Sequence, residues 1–147
     1  GLGRVDAFVH SVGTAASIRG VANVLKGRDA TTKVVAVEPA ESSVLLGGAP
    51  GPHKIEGVGI GYTPPLWDPS VVDGVEAVPT EEAKEMARRL AREEGLFAGT
   101  STGANVVAAL RVAERLGPSA RVVTLACDSG LKYLSTDVYR RGSGTPA

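Results

Sequence analysis

The chain has 147 residues, of which 43% are hydrophobic and 22% charged, a composition typical of a soluble globular domain. Sixteen Lys and Arg balance sixteen Asp and Glu, so no broad basic surface and no nucleic-acid partner are expected. With one cysteine, Cys127, no signal peptide and no apolar run long enough to span a bilayer, the chain is expected to be cytoplasmic, without a disulfide or a membrane partner.

The first part of the chain has the pattern of a βαβ unit. Residues 5–9 form a nearly continuous apolar run that predicts a buried strand, and residues 33–38 repeat this pattern. Between them, residues 15–26 carry apolar side chains at helical spacing, and Gly27 is a suitable helix end. This order predicts two parallel strands joined by a right-handed crossover.

Residues 40–69 are rich in glycine and proline. A segment of this length without regular structure is uncommon inside a compact domain and is usually either functional or disordered. Because apolar residues such as Val44, Ile55 and Val58 recur within it, we interpret it as an ordered functional loop rather than a linker.

The second half again alternates predicted strands and helices. The predicted strands are residues 72–78, 96–99 and 121–126, and the predicted helices are residues 80–94 and 104–116. A polar tail is expected over residues 140–147, after a domain that spans residues 1–139. The alternation predicts the α/β class, with an open, mostly parallel sheet and helices on both faces.

Three turns of small residues follow predicted strands, at residues 11–14, 100–103 and 127–130. Ligands of open α/β sheets bind outside the carboxyl ends of the strands, so these turns are expected to converge on one ligand site. The first turn also opens a helix, whose unpaired N–H groups favour a phosphate. The alternative is an ordinary strand-to-helix turn with Thr14 or Ser17 as the helix N-cap.

Three longer stretches carry a family resemblance: VEPAESSVLLGGAPGPHKIEGVGIGYTPP at residues 37–65, GTSTGAN at 99–105 and CDSGLKYLST at 127–136. With them, residues 5–139 resemble the C-terminal half of a cysteine synthase (O-acetylserine sulfhydrylase), a fold-type II pyridoxal-phosphate enzyme. The resemblance implies part of a tryptophan synthase beta-like fold and pyridoxal 5′-phosphate as the cofactor.

The resemblance also implies a phosphate-binding loop. The family's Gly-Thr-Gly-Gly-Thr is replaced here by Gly13, Thr14, Ala15, Ala16 and Ser17. Backbone N–H groups of this loop and the hydroxyls of its Thr and Ser would hold the 5′-phosphate. Alanine keeps the N–H group but disfavours a positive φ. The two alanines therefore either have ordinary helical dihedral angles, or the loop differs from that of the family.

The family's Gly-Ile-Ser-Ser-Gly corresponds to residues 99–103 of this chain. By this resemblance the hydroxyl of Ser101 would bond the pyridine nitrogen of the cofactor. A neutral hydroxyl does not hold that nitrogen protonated, which suits β-elimination and β-replacement. An alternative role for Ser101 is the N-cap of the following helix.

Four further residues match family positions on the substrate side of the cofactor or behind its ring. Gly57 and Gly59 would allow a close approach of the backbone, while Thr102 and Asp128 would support the ring. No metal site is expected, because His10 and His53 lack partners at ligand spacing. We interpret His10 as a packed or hydrogen-bonded residue rather than a base.

The Schiff-base lysine of the family lies in the N-terminal half, so no catalytic residue is expected in this chain. Of its five lysines, Lys26, Lys33 and Lys84 are interpreted as solvated. Lys54 and Lys132 lie in family motifs, but neither matches the nucleophile. The resemblance therefore implies a portion that supplies the phosphate cradle and the pyridine-nitrogen contact and is inactive by itself.

The complete enzyme would convert O-acetylserine and sulfide into cysteine and acetate. Its partners would be the amino-acid substrate, the missing N-terminal half and a second copy in a homodimer. Another fold-type II enzyme, such as cystathionine β-synthase or a serine or threonine dehydratase, remains an alternative. A third alternative, favoured by the absent lysine, is a non-catalytic α/β module that binds an anion or regulates.

Overall fold

The computed structural model describes residues 3–140. Within this range, four parallel strands form one sheet in the order β3-β2-β1-β4. The strands are β1 (Ala7–Ser11), β2 (Lys33–Pro39), β3 (Gly74–Val78) and β4 (Val122–Thr124). The helices are α1 (Ala16–Arg28), α2 (Thr80–Glu93) and α3 (Thr100–Leu116).

The two faces of the sheet bury different helices, because successive side chains of a strand point to opposite sides. On one face, Phe8 of β1 and Val34 of β2 pack with Ile18 of α1. On the other face, Val9 packs in a second cluster with Val107 of α3. Helix α2 packs on α3 and forms an outer layer. The predicted fold class, an open parallel sheet with helices on both faces, is confirmed.

Strand β1 begins two residues later than predicted and continues through His10 and Ser11. Both residues are buried, and His10 and Ser11 continue the register with β2. The backbone pairing therefore extends the strand beyond its apolar run. At the other end of the sheet, β4 has three residues and pairs only with β1.

The strand predicted at residues 96–99 is not present. This stretch makes only an isolated antiparallel bridge between Ala98 and Ser129, and it joins no strand of the sheet. Leu96 and Phe97 keep more than a third of their surface exposed, so the segment lacks the covered faces that would make it a central strand.

The small residues at positions 100–103 form the first turn of α3 rather than a loop. Their size serves the packing of helices, because a Cβ atom at Gly103 would overlap the carbonyl oxygen of Ala83 in α2. The small residues that predicted a turn therefore permit a close approach of α2 and α3.

The long segment after β2 is ordered by contacts with both faces of the sheet. It contains short 3₁₀ turns at Ala40–Ser42, Val44–Leu46 and Pro69–Val71. Ile55 and Val58 are buried beside α3. The interpretation as an ordered loop rather than a linker is confirmed.

The interpretation of Lys84 in α2 as solvated is wrong. Its side chain is 1% exposed, and its ammonium group lies 2.8 Å from both Glu81 and Asp137. Arg88, one turn later, donates to the carbonyl oxygen of Val138 at 2.6 Å. These bonds fix the C-terminal segment of the domain against α2.

No helix among residues 3–140 is long and apolar enough to cross a membrane. Residues 141–147 of the predicted polar tail lie outside the described residues.

Candidate functional site

A cavity of about 690 Å³ lies at the carboxyl edge of the sheet, between the ends of β1 and β4. The order of the strands reverses direction at this point, since β2 and β3 lie to one side of β1 and β4 to the other. Open α/β sheets bind ligands at such a switch point. The cavity walls come from the loop before α1, the 56–58 loop, the start of α3 and the loop after β4.

Ala15 occupies the N-cap position of α1 in the left-handed conformation, with φ 68° and ψ 0°. Ala16 is the first residue of the helix. The loop therefore keeps a glycine-like backbone at Ala15, while Ala16 is ordinary. The alternative of Thr14 or Ser17 as N-cap is wrong, although the Thr14 hydroxyl accepts from the Ala16 N–H at 3.4 Å.

The loop before α1 touches the 56–58 loop through its backbone. A Cβ atom at Gly13 would overlap the carbonyl oxygen of Gly57, which itself has a φ of 79°. The N–H of Gly59 donates to the carbonyl oxygen of Val12 at 3.1 Å. Only glycine at position 13 permits this approach, so the two loops form one wall of the cavity.

The first turn of α3 holds two loops through its hydroxyl groups. Thr100 accepts from the N–H of Glu56 at 3.3 Å, and Thr102 accepts from the N–H of Cys127 at 3.0 Å. Between them, Ser101 is buried and lines the cavity. Gly99 occupies the N-cap position, so the alternative of Ser101 as N-cap is wrong.

Asp128 is the most strongly bonded carboxylate on the cavity wall. Its Oδ2 accepts from the Lys132 ammonium at 2.9 Å and from the Tyr133 hydroxyl at 3.0 Å. Burial and this hydrogen bond raise the pKa of Tyr133 to about 12, and the same carboxylate raises the pKa of Lys132. Near neutral pH Tyr133 is therefore an uncharged donor and Lys132 a cation.

The cavity walls carry polar atoms that lack a partner among the described residues. Ser11 Oγ and Asp128 Oδ1 are both buried and make no hydrogen bond within this part of the chain. A buried polar atom without a partner is costly. These atoms, the open start of α1 and the size of the cavity together fit a polar, phosphate-bearing ligand.

The structure brings most of the predicted site residues together. Those that line the one cavity are Gly13, Thr14, Ala15, Ser17, Gly57, Ser101 and Asp128. Three others do not line it. Ala16 lies in the helix, Gly59 packs against Pro39 and His53, and Thr102 acts on the Cys127 loop from behind.

Several wall residues were missed by the sequence reasoning as candidates. They are His10, Ser11, Glu56, Cys127 and Lys132. His10 lies next to a predicted turn, and Ser11 and Cys127 lie within predicted turns, which is a signal in the sequence. Nothing in the sequence alone placed Lys132 beside Asp128, although the spacing i,i+4 permits it.

Comparison with known proteins agrees with this geometry. The family model described as pyridoxal-phosphate dependent enzyme matches residues 1–128. A cysteine synthase of Staphylococcus aureus is 44% identical over 135 residues, which cover 92% of this chain and 44% of that relative. A cysteine synthase of Helicobacter pylori is 41% identical over the same length. The chain thus spans less than half the length of these curated relatives.

Solved structures show the same likeness. O-acetyl serine sulfhydrylase isoform 3 from Entamoeba histolytica has a TM-score of 0.90 and 40% identity, and the match covers 97% of this chain and 43% of that one. An O-acetylserine dependent cystathionine beta-synthase from Helicobacter pylori has a TM-score of 0.88 and 40% identity, covering 92% and 44%.

Proposed function

We propose that this chain, which belongs to the pyridoxal-phosphate dependent enzyme family, is the C-terminal portion of a cysteine synthase. Family membership confirms the resemblance predicted from the sequence and the predicted cofactor. It also disfavours the non-catalytic module. The observation that carries the proposal is the single cavity shared by the loop before α1, Ser101 and Asp128.

Two parts of the cavity would hold the cofactor. The first N–H groups of α1, with the hydroxyls of Thr14 and Ser17, would bind its phosphate, because they lie at the positive end of a helix dipole. Ser101 would contact the pyridine nitrogen. When bound, pyridoxal phosphate supplies an electron sink for chemistry at the α and β carbons of an amino acid.

Other residues, on the cavity wall or behind it, would fix the shape of the site. The Thr102 hydroxyl holds the loop of Cys127 and Asp128 in place through the Cys127 N–H. Lys132 and Tyr133 hold the Asp128 carboxylate at Oδ2, while Oδ1 is buried beside Gly99 without a hydrogen bond among the described residues. Val58 contributes an apolar side chain to the wall.

The described part of the chain, residues 3–140, offers no free lysine to the cavity. Of its five lysines, only Lys132 lines the wall, and its ammonium is bonded to Asp128. Lys84 is buried beneath Asp137, and Lys26 pairs with Asp73 at 2.7 Å. These pairings support a reaction lysine that comes from another part of the complete polypeptide, and an isolated chain without activity.

The proposed reaction joins sulfide to the β-carbon of O-acetylserine, with loss of acetate. The names of the Staphylococcus and Entamoeba relatives support it, and the Helicobacter structure leaves homocysteine as a second acceptor to test. A homodimer and a cytoplasmic location of the complete enzyme stay predictions.

One experiment on the isolated chain tests the proposal. Pyridoxal 5′-phosphate is titrated into the 147-residue chain, and the mixture is followed by absorbance and then treated with borohydride. We expect saturable binding without a new Schiff-base band and without a reduced adduct on any lysine. Absence of binding would refute the cofactor site. An adduct on one lysine would refute the proposal that the reaction lysine comes from another part of the complete polypeptide.

A second experiment tests the activity. The complete polypeptide that carries this sequence is assayed with O-acetylserine plus sulfide, and in parallel with serine plus homocysteine. We expect cysteine from the first mixture. Product only from the second mixture would identify a cystathionine β-synthase instead.

A further inference from the structure

The side chain of Asn105 lies where the sheet opens into the cavity. It is fully buried in α3, and its Oδ1 accepts from the backbone N–H of Ser11 at 2.7 Å. Its Nδ2 donates to the carbonyl oxygen of Leu125 at 3.0 Å. One amide therefore bridges the last residue of β1 and the residue that follows β4.

The register of the sheet shows which bond this amide replaces. Ala7 is paired with Val122 and donates to the carbonyl oxygen of Arg121, one residue earlier. The same register continued by four residues would bring the Ser11 N–H to the Leu125 carbonyl oxygen. Asn105 stands between these two groups and satisfies both, so the strands separate without leaving either group unpaired.

The same bonds fix the orientation of the amide. A backbone N–H only donates and a carbonyl oxygen only accepts, so Oδ1 must face Ser11 and Nδ2 must face Leu125. Nδ2 also lies 3.4 Å from Nδ1 of His10 and 3.3 Å from Sγ of Cys127, so these two acceptors share its second N–H. Because Nδ2 is a donor, His10 Nδ1 is an acceptor, and the proton of the neutral imidazole sits on Nε2.

The His10 imidazole is therefore neutral, and its Nε2–H group is free to donate. It is buried, it lines the cavity, and burial lowers its pKa. No other residue of the described part of the chain bonds its Nε2. With Nδ1 engaged by a donor, the ring does not act as a base, in agreement with the sequence interpretation.

We propose that Asn105 is a positioning residue of this site, which holds β1 and β4 apart and fixes His10 so that its Nε2–H donates to the ligand in the cavity. The part concerning the ligand rests on the proposed function and takes pyridoxal 5′-phosphate as the probe. The part concerning the tautomer does not depend on any ligand.

The tautomer is measured by nitrogen NMR of the full chain labelled at histidine. The chain has only two histidines, and His53 is an internal control, since its Nε2 bonds the Gly59 carbonyl and its Nδ1 accepts from Ile55 N–H. We expect the Nε2–H form for His10 near neutral pH. A proton on Nδ1 of the unaltered chain would overturn the proposal.

The variant Asn105→Asp keeps an oxygen for the Ser11 N–H but presents a second oxygen to His10 Nδ1. We expect a proton to appear on that nitrogen, while the His53 signals stay unchanged. Asn105→Ala, which removes both groups, should release His10 into a mixture of tautomers. A His10 signal identical to that of the unaltered chain in both variants would show that Asn105 does not fix the ring.

The ligand is tested by adding pyridoxal 5′-phosphate to the same sample. Binding with a shift of His10 Nε2 larger than that of His53 supports the proposal, and binding without it overturns the role of His10 alone. No binding at all refutes the proposed function, and the tautomer data then decide the role of Asn105. His10→Phe should weaken binding about tenfold, and His10→Gln, which keeps an N–H, less than about threefold.

Discussion

Ala15 replaces a glycine of the family's phosphate-binding loop but keeps a left-handed backbone conformation. A left-handed alanine costs about 1 kcal/mol or more relative to an ordinary conformation. Its methyl group is buried in the cluster around α1, which offsets part of that cost. The loop thus keeps a left-handed residue at the start of α1 without a glycine.

Ala15→Val tests this conformation. A β-branched side chain strongly disfavours a positive φ, so we expect the free energy of unfolding to fall by about 2 kcal/mol. The matched control Ala16→Val, in the ordinary first helical position, should cost about 0.5 kcal/mol. Urea denaturation of the two variants measures the difference, and equal losses would argue against a left-handed Ala15.

At the scale of elements, the loop before α1 lies directly against the 56–58 loop. The contact of Gly13 with the Gly57 carbonyl is between backbones, so neither side can yield by a change of rotamer. Farther along the same helix, Gly20 has open space where a Cβ would lie. A side chain is therefore excluded at Gly13 but has room at Gly20.

Gly13→Ala is expected to displace the loop, to lower the free energy of unfolding by about 2 kcal/mol and to weaken the binding of pyridoxal phosphate. Gly20→Ala, as the control, should raise the free energy of unfolding by about 0.5–1 kcal/mol because it favours the helix. Thermal unfolding and a cofactor titration measure both effects. Unimpaired binding by Gly13→Ala would contradict the close approach.

At the scale of the molecule, Lys84 and Arg88 of α2 bond the segment at Asp137 and Val138. Burial disfavours the charged form of Lys84, but its bonds to Asp137 and Glu81 outweigh that effect, and its pKa is raised above 10.5. A raised pKa in the folded state means that the ammonium contributes its full stability below pH 10.5. The contribution is lost as the pH rises through the folded value.

Lys84→Met keeps the length of the side chain and removes the charge. We expect the free energy of unfolding at pH 7 to fall by about 1–2 kcal/mol, since both carboxylates are partly solvated. The difference from the unaltered chain should shrink above pH 10.5. Lys33→Met, at a lysine that is 56% exposed, serves as the control. If Lys33→Met lost as much free energy of unfolding as Lys84→Met, burial of Lys84 would not explain its contribution.

The sequence by itself determined the α/β class, the four strands and three helices in chain order, and the small-residue segments that meet at one edge, because apolar periodicity and helix ends are local properties. It also predicted a strand at residues 96–99 that does not form, and residues 100–103 begin a helix instead of a loop. It also indicated the family, because the matching motifs are long enough to be specific. The tertiary structure alone decided that Ala15 is left-handed, that Lys84 is buried and that Asn105 takes the place of a ladder bond between β1 and β4. These features depend on partners 50 or more residues away in the chain or on the backbone strain of one loop, and no local pattern encodes either.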